Sequence, residues 1–303
     1  MEWLMALLTI QEVEKLAPVF KGKVGNAIAR GLLKALNITK LSDANDSISN
    51  YQGAEFAKAC NEQVAKASFS VNGMSREEAI EHFRKIVPEG PFITISNHPI
   101  GTLDGTILID FMGHVREDYK CMVNEILAKF EGLRPSLIQV NPNGEQVSSP
   151  TARSIAGVRM AKEHLMNGHV LGLFPSGAVS DKRLGRRPVV QIPSPSWEGA
   201  PQSYTEPRVR DREWQTSIVK FIRNAGVPVL PIRFLDGNSR FFYNLGLISW
   251  KVRILRLPTE LFNKAGKNIR LAVGPMVPVE SMKACKSVDE LRTLLRASVY
   301  SLE

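Results

Sequence analysis

From Pro88 onward the chain alternates short apolar runs with stretches of helical period, and that alternation constrains its fold more than any other feature. Residues 91–96, Pro-Phe-Ile-Thr-Ile-Ser, read as a buried strand, and an apolar helix follows at 106–112. Further strands are predicted at 120–123, 137–140, 169–174, 227–232 and 269–273, with helices at 151–166 and 212–225. Strands separated by helices return to the sheet in the same direction. The chain is therefore expected to be α/β, with a central, mostly parallel sheet flanked by helices over residues 89–303. Residues 1–88 read as a helical N-terminal region. Within it a helix is expected at 54–67, a polar loop at 43–53, and a capping box at Ser75-Arg76-Glu77-Glu78 opening a helix that ends before Pro88. Residues 181–211 are rich in Pro, Ser and Arg with little periodicity, the pattern of a long functional loop.

Charge and composition narrow the partners. The 303 residues carry a formal net charge of +9, which favours nucleic acid, phosphorylated metabolites or an anionic membrane surface. Aromatic residues do not interleave with Lys and Arg in a stacking pattern, so no nucleic acid is expected. No apolar run approaches the ~20 residues of a spanning helix, and the apolar start of the chain has an acidic Glu2 where a signal peptide carries a basic residue. A membrane role is then expected to be peripheral. Val24, Ile28, Leu32 and Leu36 recur near helical spacing among Lys21, Lys23, Arg30 and Lys34. Such a helix suits a membrane interface, and equally suits packing on the rest of the protein. Cys60, Cys121 and Cys285 lack metal or redox spacing, and His82, His114, His164 and His169 lack a partner pattern, so no metal is expected.

The chemistry concentrates in Ser96-Asn97-His98-Pro99-Ile100-Gly101-Thr102-Leu103-Asp104-Gly105. In a regular strand or helix His98 and Asp104 would not face each other. A turn through Pro99, Ile100 and Gly101 folds them together. A carboxylate on one imidazole nitrogen leaves the other to accept a hydroxyl proton. The plainer alternative is a polar loop histidine beside a helix cap.

This string resembles the first block of the glycerolipid acyltransferases, the PlsC-like superfamily. The usual form has four residues between His and Asp; here there are five, as in the hemolysin-like bacterial branch that includes ornithine- and glycine-lipid O-acyltransferases. Residues 173–180, Leu-Phe-Pro-Ser-Gly-Ala-Val-Ser, are similar to the family's Phe-Pro-Glu-Gly-Thr-Arg-Ser block. Residues 227–232, Val-Pro-Val-Leu-Pro-Ile, are similar to its Val-Pro-x-x-Pro-Val block, and residues 236–243 and 257–264 resemble stretches of the hemolysin-like branch. Ser176 and Val179 stand where the third block has Glu and Arg, which weakens the case for a lysophosphatidate acceptor.

The resemblance implies His98 as catalytic base and Asp104 as the residue that orients it, within an acyltransferase domain at 89–303. Acceptor and thioester would meet at the Asn97–Gly105 turn. Phe174, Pro175, Ser176 and Gly177 would line the acyl carbonyl as an oxyanion site, or serve only as a strand running into a tight turn. Arg183, Arg186 and Arg187 would supply an anion site, or form a solvated basic loop. The implied reaction moves a fatty acyl chain from acyl-carrier protein or coenzyme A to the hydroxyl of a lysolipid or hydroxyacyl amino acid, with no bound cofactor. The implied location is peripheral, on the cytoplasmic face of the inner membrane. The competing readings are a non-catalytic lipid-binding protein on an acyltransferase scaffold and a thioester hydrolase. Oligomeric state is not legible.

Overall fold

Eight strands build the central sheet of the computed structural model, which describes residues 37–124, 130–140, 152–192 and 197–303 together with Gly31 and Lys34. They are β1 (Ser68–Val71), β2 (Met74–Ser75), β3 (Ile93–Ser96), β4 (Lys120–Asn124), β5 (Leu137–Val140), β6 (Leu171–Leu173), β7 (Val229–Phe234) and β8 (Asn268–Val273). Their order is β2-β1-β8-β7-β3-β6-β4-β5. The five strands β5, β4, β6, β3 and β7 all run parallel, and β8 pairs antiparallel to β7. The expected α/β class with a mostly parallel sheet is the observed one.

The sheet is covered on both faces, as parallel strands require. In β3 all four residues are buried. Phe92, just ahead of it, joins a core with Phe83 and Phe111, whereas Ile93 and Ile95 join a second core with Leu165, Val219 and Leu294. The first core is made with α2 (Gly53–Ala59), α3 (Arg76–Ile86) and α4 (Thr102–Val115), the second with α5 (Ala152–Met166), α6 (Thr216–Ala225) and α11 (Val288–Tyr300). Helix α4 is buried almost all round, from Leu103 through Met112. The remaining helices are α1 (Ile38–Ser47), α7 (Arg240–Ile248), α8 (Trp250–Leu255), α9 (Leu257–Phe262) and α10 (Val279–Ala284). No helix among the described residues is long and apolar enough to cross a membrane.

Three differences from the sequence reading have clear causes. Residues 43–47, expected in a polar loop, complete α1, where buried Leu41, half-buried Ala44 and nearby Ile48 anchor a mostly polar helix to the core. The expected helix at 54–67 is α2 followed by a π-helical turn, Cys60–Ala65. The N-terminal region read as helical contributes the hairpin β1–β2 to the sheet, with β1 parallel to β8. Ser68-Phe69-Ser70-Val71 alternates polar and apolar, and Asn72-Gly73 is a two-residue turn sequence, so the signal for that hairpin was present. The basic segment 21–36 lies outside the described residues apart from Gly31 and Lys34.

Candidate active site

The parallel strands β6, β3 and β7 are neighbours and end on the same edge, so the loops after them meet there. Each of those loops carries one of the sequence blocks. Ligands of open α/β sheets bind at this carboxyl edge.

The loop after β3 folds His98 back onto Asp104. His98 Nδ1 lies 3.0 Å from Asp104 Oδ2, with the carboxylate fully buried and the imidazole nearly so. The same oxygen accepts the backbone N–H groups of Ile100 at 2.8 Å and Gly101 at 2.9 Å. Asp104 is therefore both the cap of α4 and the partner of His98. The two roles posed as alternatives share one atom. The turn depends on Gly101, whose φ of 107° is a conformation that L side chains rarely adopt; a Cβ there would meet Leu257 at 2.9 Å. With its proton on Nδ1, held by the carboxylate, the imidazole carries its lone pair on Nε2.

The loop after β6 packs under the same turn. The Phe174 ring lies 4.3 Å from that of His98. The Ser180 N–H donates to His98 O at 2.8 Å, which ties the two loops backbone to backbone. A second buried carboxylate, Asp211, completes the tie. Its Oδ1 accepts the His98 N–H at 3.1 Å and the Ser180 hydroxyl at 2.6 Å, and its Oδ2 accepts Trp214 Nε1 at 3.0 Å. Burial pushes the Asp211 carboxyl above its ordinary range, and the bonds from Ser180 and Trp214 oppose that. Arg253, buried, reaches Ser180 O at 3.1 Å and Asp181 Oδ1 at 2.6 Å. Its guanidinium thus backs the block that lacks the family's arginine.

The loop after β7 clamps the turn from the third side. Asn97 spends both ends of its amide on β7: Nδ2 donates to Phe234 O at 3.0 Å and Oδ1 accepts the Phe234 N–H at 2.7 Å. Asn238 Nδ2 donates to Ile100 O at 2.8 Å, and the Tyr243 hydroxyl donates to Pro99 O at 2.7 Å. Buried Glu260 accepts the Ser239 N–H and hydroxyl, and Lys264 Nζ donates to Gly237 O. Burial lowers the Lys264 ammonium below its ordinary range. The blocks at 236–243 and 257–264 are thus the scaffold of the His98 turn.

The other expected site residues divide. Gly105 is buried on α4, next to Asp104. Pro175 has no N–H. The Gly177 amide donates to Phe174 O at 2.9 Å, and the Ala178 amide points to Ser176 Oγ at 3.4 Å. Those two amides are used within the turn itself, and Gly177 adopts φ 64° with Gln215 closing over it. Arg183, Arg186 and Arg187 are exposed on the loop that follows, where Arg183 lies 3.8 Å from Asp181. Asp211, Asn238, Tyr243 and Arg253 were missed by the sequence reading. The block resemblance pointed to the stretch around Asn238 and Tyr243, but not to a role. Among the described residues, no group of three or more His, Cys, Asp or Glu side chains converges as a metal site.

The sequence model of the family described as Acyltransferase matches residues 27–303. The chain is 27% identical over 270 residues to a lyso-glycine lipid O-acyltransferase of Bacteroides thetaiotaomicron, covering 86% of this chain and 83% of that one. It is 24% identical over 303 residues to a protein of the same name from Phocaeicola vulgatus, covering 96% and 94%. A solved structure of the 1-acyl-sn-glycerophosphate acyltransferase PlsC from Thermotoga maritima aligns over 99% of this chain and 95% of its own, at 15% identity and a TM-score of 0.44.

Proposed function

The chain belongs to the acyltransferase family, and from that premise we propose that it acylates the hydroxyl of a lysolipid, with His98 as the base and Asp104 as its orienting carboxylate. The observation that carries the reading is the 3.0 Å contact between His98 Nδ1 and Asp104 Oδ2 on a turn bound from three sides. A carboxylate so placed holds the tautomer and stabilises the imidazolium that forms on proton transfer. The acceptor oxygen attacks the thioester carbonyl as its proton passes to His98 Nε2. The carbon–sulfur bond then breaks, and the leaving thiolate takes that proton. The protein's own groups suffice, without a metal or an acyl-enzyme.

The acyl donor is acyl-carrier protein or coenzyme A. The acceptor is a lysolipid of the hydroxyacyl amino acid type, a reading supported by two relatives named for lyso-glycine lipid. Arg183, Arg186 and Arg187 offer its anionic group a counter-charge from the exposed loop. An apolar cavity of about 20 Å³ lies beside Thr102 and Thr106 of α4, walled by Leu41, Ile48, Phe130 and Leu261. The enzyme works peripherally, on the cytoplasmic face of the inner membrane.

The test follows thiol release from acyl-coenzyme A and acyl-carrier protein, with and without lyso-glycine lipid. Release that requires the acceptor and yields diacylated product is the expected result. Release without acceptor would identify a hydrolase, and no turnover with either donor a binding protein. His98→Ala is expected to fold and to lose ~100-fold or more in turnover, the scale of a removed acid–base group. A folded His98→Ala protein with undiminished transfer would refute the mechanism.

A further inference from the structure

Helices α7 and α8 follow one another through Ser249 and present two different faces. On the inner face Phe242 and Tyr243 are buried against Val179 and Leu257, the residues that back the His98 turn. On the outer face Phe241 and Ile248, seven residues apart and therefore on one stripe of the helix, stand in solvent, and Leu247 of α7 and Val252 of α8 are exposed as well. Ile248 is 84% exposed. A solvent-facing aliphatic and aromatic stripe of this kind is unusual on a helix whose opposite face already fills the core.

The sequence of these helices, residues 240–256, has four basic residues and no acidic one. Arg253 is buried against Asp181, while Arg240 is exposed and Arg256 half-buried. The Arg256 guanidinium lies 4.8 Å from the centre of the Phe241 ring, a cation seated on an aromatic face at the rim of the patch. The adjoining loop carries exposed Arg183, Leu184, Arg186 and Arg187. It is joined to α7 through Lys182 Nζ, which donates to Asn244 Oδ1 at 2.6 Å.

We propose that the outer face of α7–α8, with the Leu184 loop, is a docking surface for an anionic lipid bilayer. The apolar side chains would enter the interface while the guanidinium groups meet the headgroups. Tyr243 Oη, on the inner face of the same helix, bonds Pro99 O in the catalytic turn, so docking here would bring the site to the surface that holds its acceptor. That last step rests on the proposed acceptor being a lipid; the docking surface does not. It is also separate from any contact made by segment 21–36.

The experiment places an environment-sensitive fluorophore on the full-length chain at Ile248→Cys, with a control label at Ile86→Cys. Ile86 is also exposed but lies on α3, which packs on β1, β2 and α4. With vesicles of phosphatidylglycerol and phosphatidylcholine, emission at position 248 should shift to the blue and brighten. The shift should be absent at position 86 and on pure phosphatidylcholine, and should fade as salt screens the headgroups. The double substitution Leu247→Ser with Ile248→Ser should lower the bound fraction by about tenfold, the scale of losing buried aliphatic side chains. No shift at position 248 while the chain sediments with vesicles would place the anchor elsewhere on the chain, and would overturn the proposal. An equal shift at both positions, or a shift on concentrating the protein without lipid, which would point to a second copy of the chain, would overturn it too. Turnover of the native chain with a water-soluble, short-chain acceptor is measured separately. Its failure would count against the acyltransferase reading while leaving the docking result intact.

Discussion

At the scale of single residues, Asp104 does two jobs with one oxygen. Its Oδ2 accepts Ile100 N–H, Gly101 N–H and His98, while Oδ1 is buried and accepts no hydrogen bond. Asp104→Asn keeps an oxygen for the two backbone donors but removes the charge that stabilises an imidazolium. The expected outcome is a stable protein whose turnover falls by ~100-fold, seen as a loss in kcat with KM little changed. Native turnover in that variant would reduce Asp104 to a cap. The His98–Asp104 pair was legible in the sequence because its members are six positions apart, and Pro and Gly between them announce a turn. Asp211, Asn238 and Tyr243 were not legible. Their bonds to the turn span 113, 138 and 144 positions, and nothing local to those residues marks them as its supports.

At the scale of elements, the N-terminal helices are tied to α4 by a buried polar network. Arg76 of α3 pairs with Asp110 of α4 at 2.5 Å, Asn61 donates to Asp110 Oδ2 at 3.0 Å, and Thr106 donates to Asn61 at 2.7 Å. His114 joins it, with Nδ1 3.2 Å from Asp110 Oδ1 and Nε2 2.8 Å from Glu55 of α2. Its bond to Asp110 raises the His114 imidazole above its ordinary value of 6.5, against the opposing effect of burial, and Glu55 adds to the rise. A folded-state pKa above the unfolded one means that protonated His114 contributes stability in full below the unfolded value. That contribution is lost as pH rises through the folded value. The stability gap between the native chain and His114→Gln, measured by urea denaturation, should therefore be widest in mild acid and should narrow above pH 6.5. A gap of constant size across that window would show that the imidazolium adds nothing. None of this network was legible, since His114 lacks a sequence pattern and finds its partners only when α2, α3 and α4 pack. Helices α7 to α11 were not read from the sequence, whereas the six sheet strands after Pro88 and helices α4, α5 and α6 were legible because each carries its own period. Their ends moved: the helix expected at 106–112 runs Thr102–Val115, because capping by Asp104 starts it a turn earlier.

At the scale of the whole molecule, the C-terminal helix closes the back of the site. Tyr300 Oη accepts the Asp211 N–H at 2.8 Å, and Arg296 donates to Asp211 O at 3.0 Å. Arg296 also pairs with Glu206 at 2.8 Å, and Arg233 of β7 donates to Tyr300 O at 2.8 Å. A chain of buried groups thus runs from α11 through Asp211 to the backbone of His98, and it gathers the 181–211 stretch on the way. That stretch reads as an aperiodic loop, yet its last residue is a fixed point of the site. Tyr300→Phe tests the coupling with little change in volume. It leaves the Asp211 N–H buried without an acceptor, a loss of ~1–3 kcal/mol, which for a domain of this size corresponds to a melting temperature lower by roughly 2–6 °C. If Asp211 positions His98, kcat should fall as well, with KM little changed. Restoring an acceptor with Tyr300→Gln should recover part of the stability. A variant with a lowered melting temperature but a native kcat would show that α11 supports the fold without reaching the catalytic turn, and one with both values native would remove the bond from the account altogether.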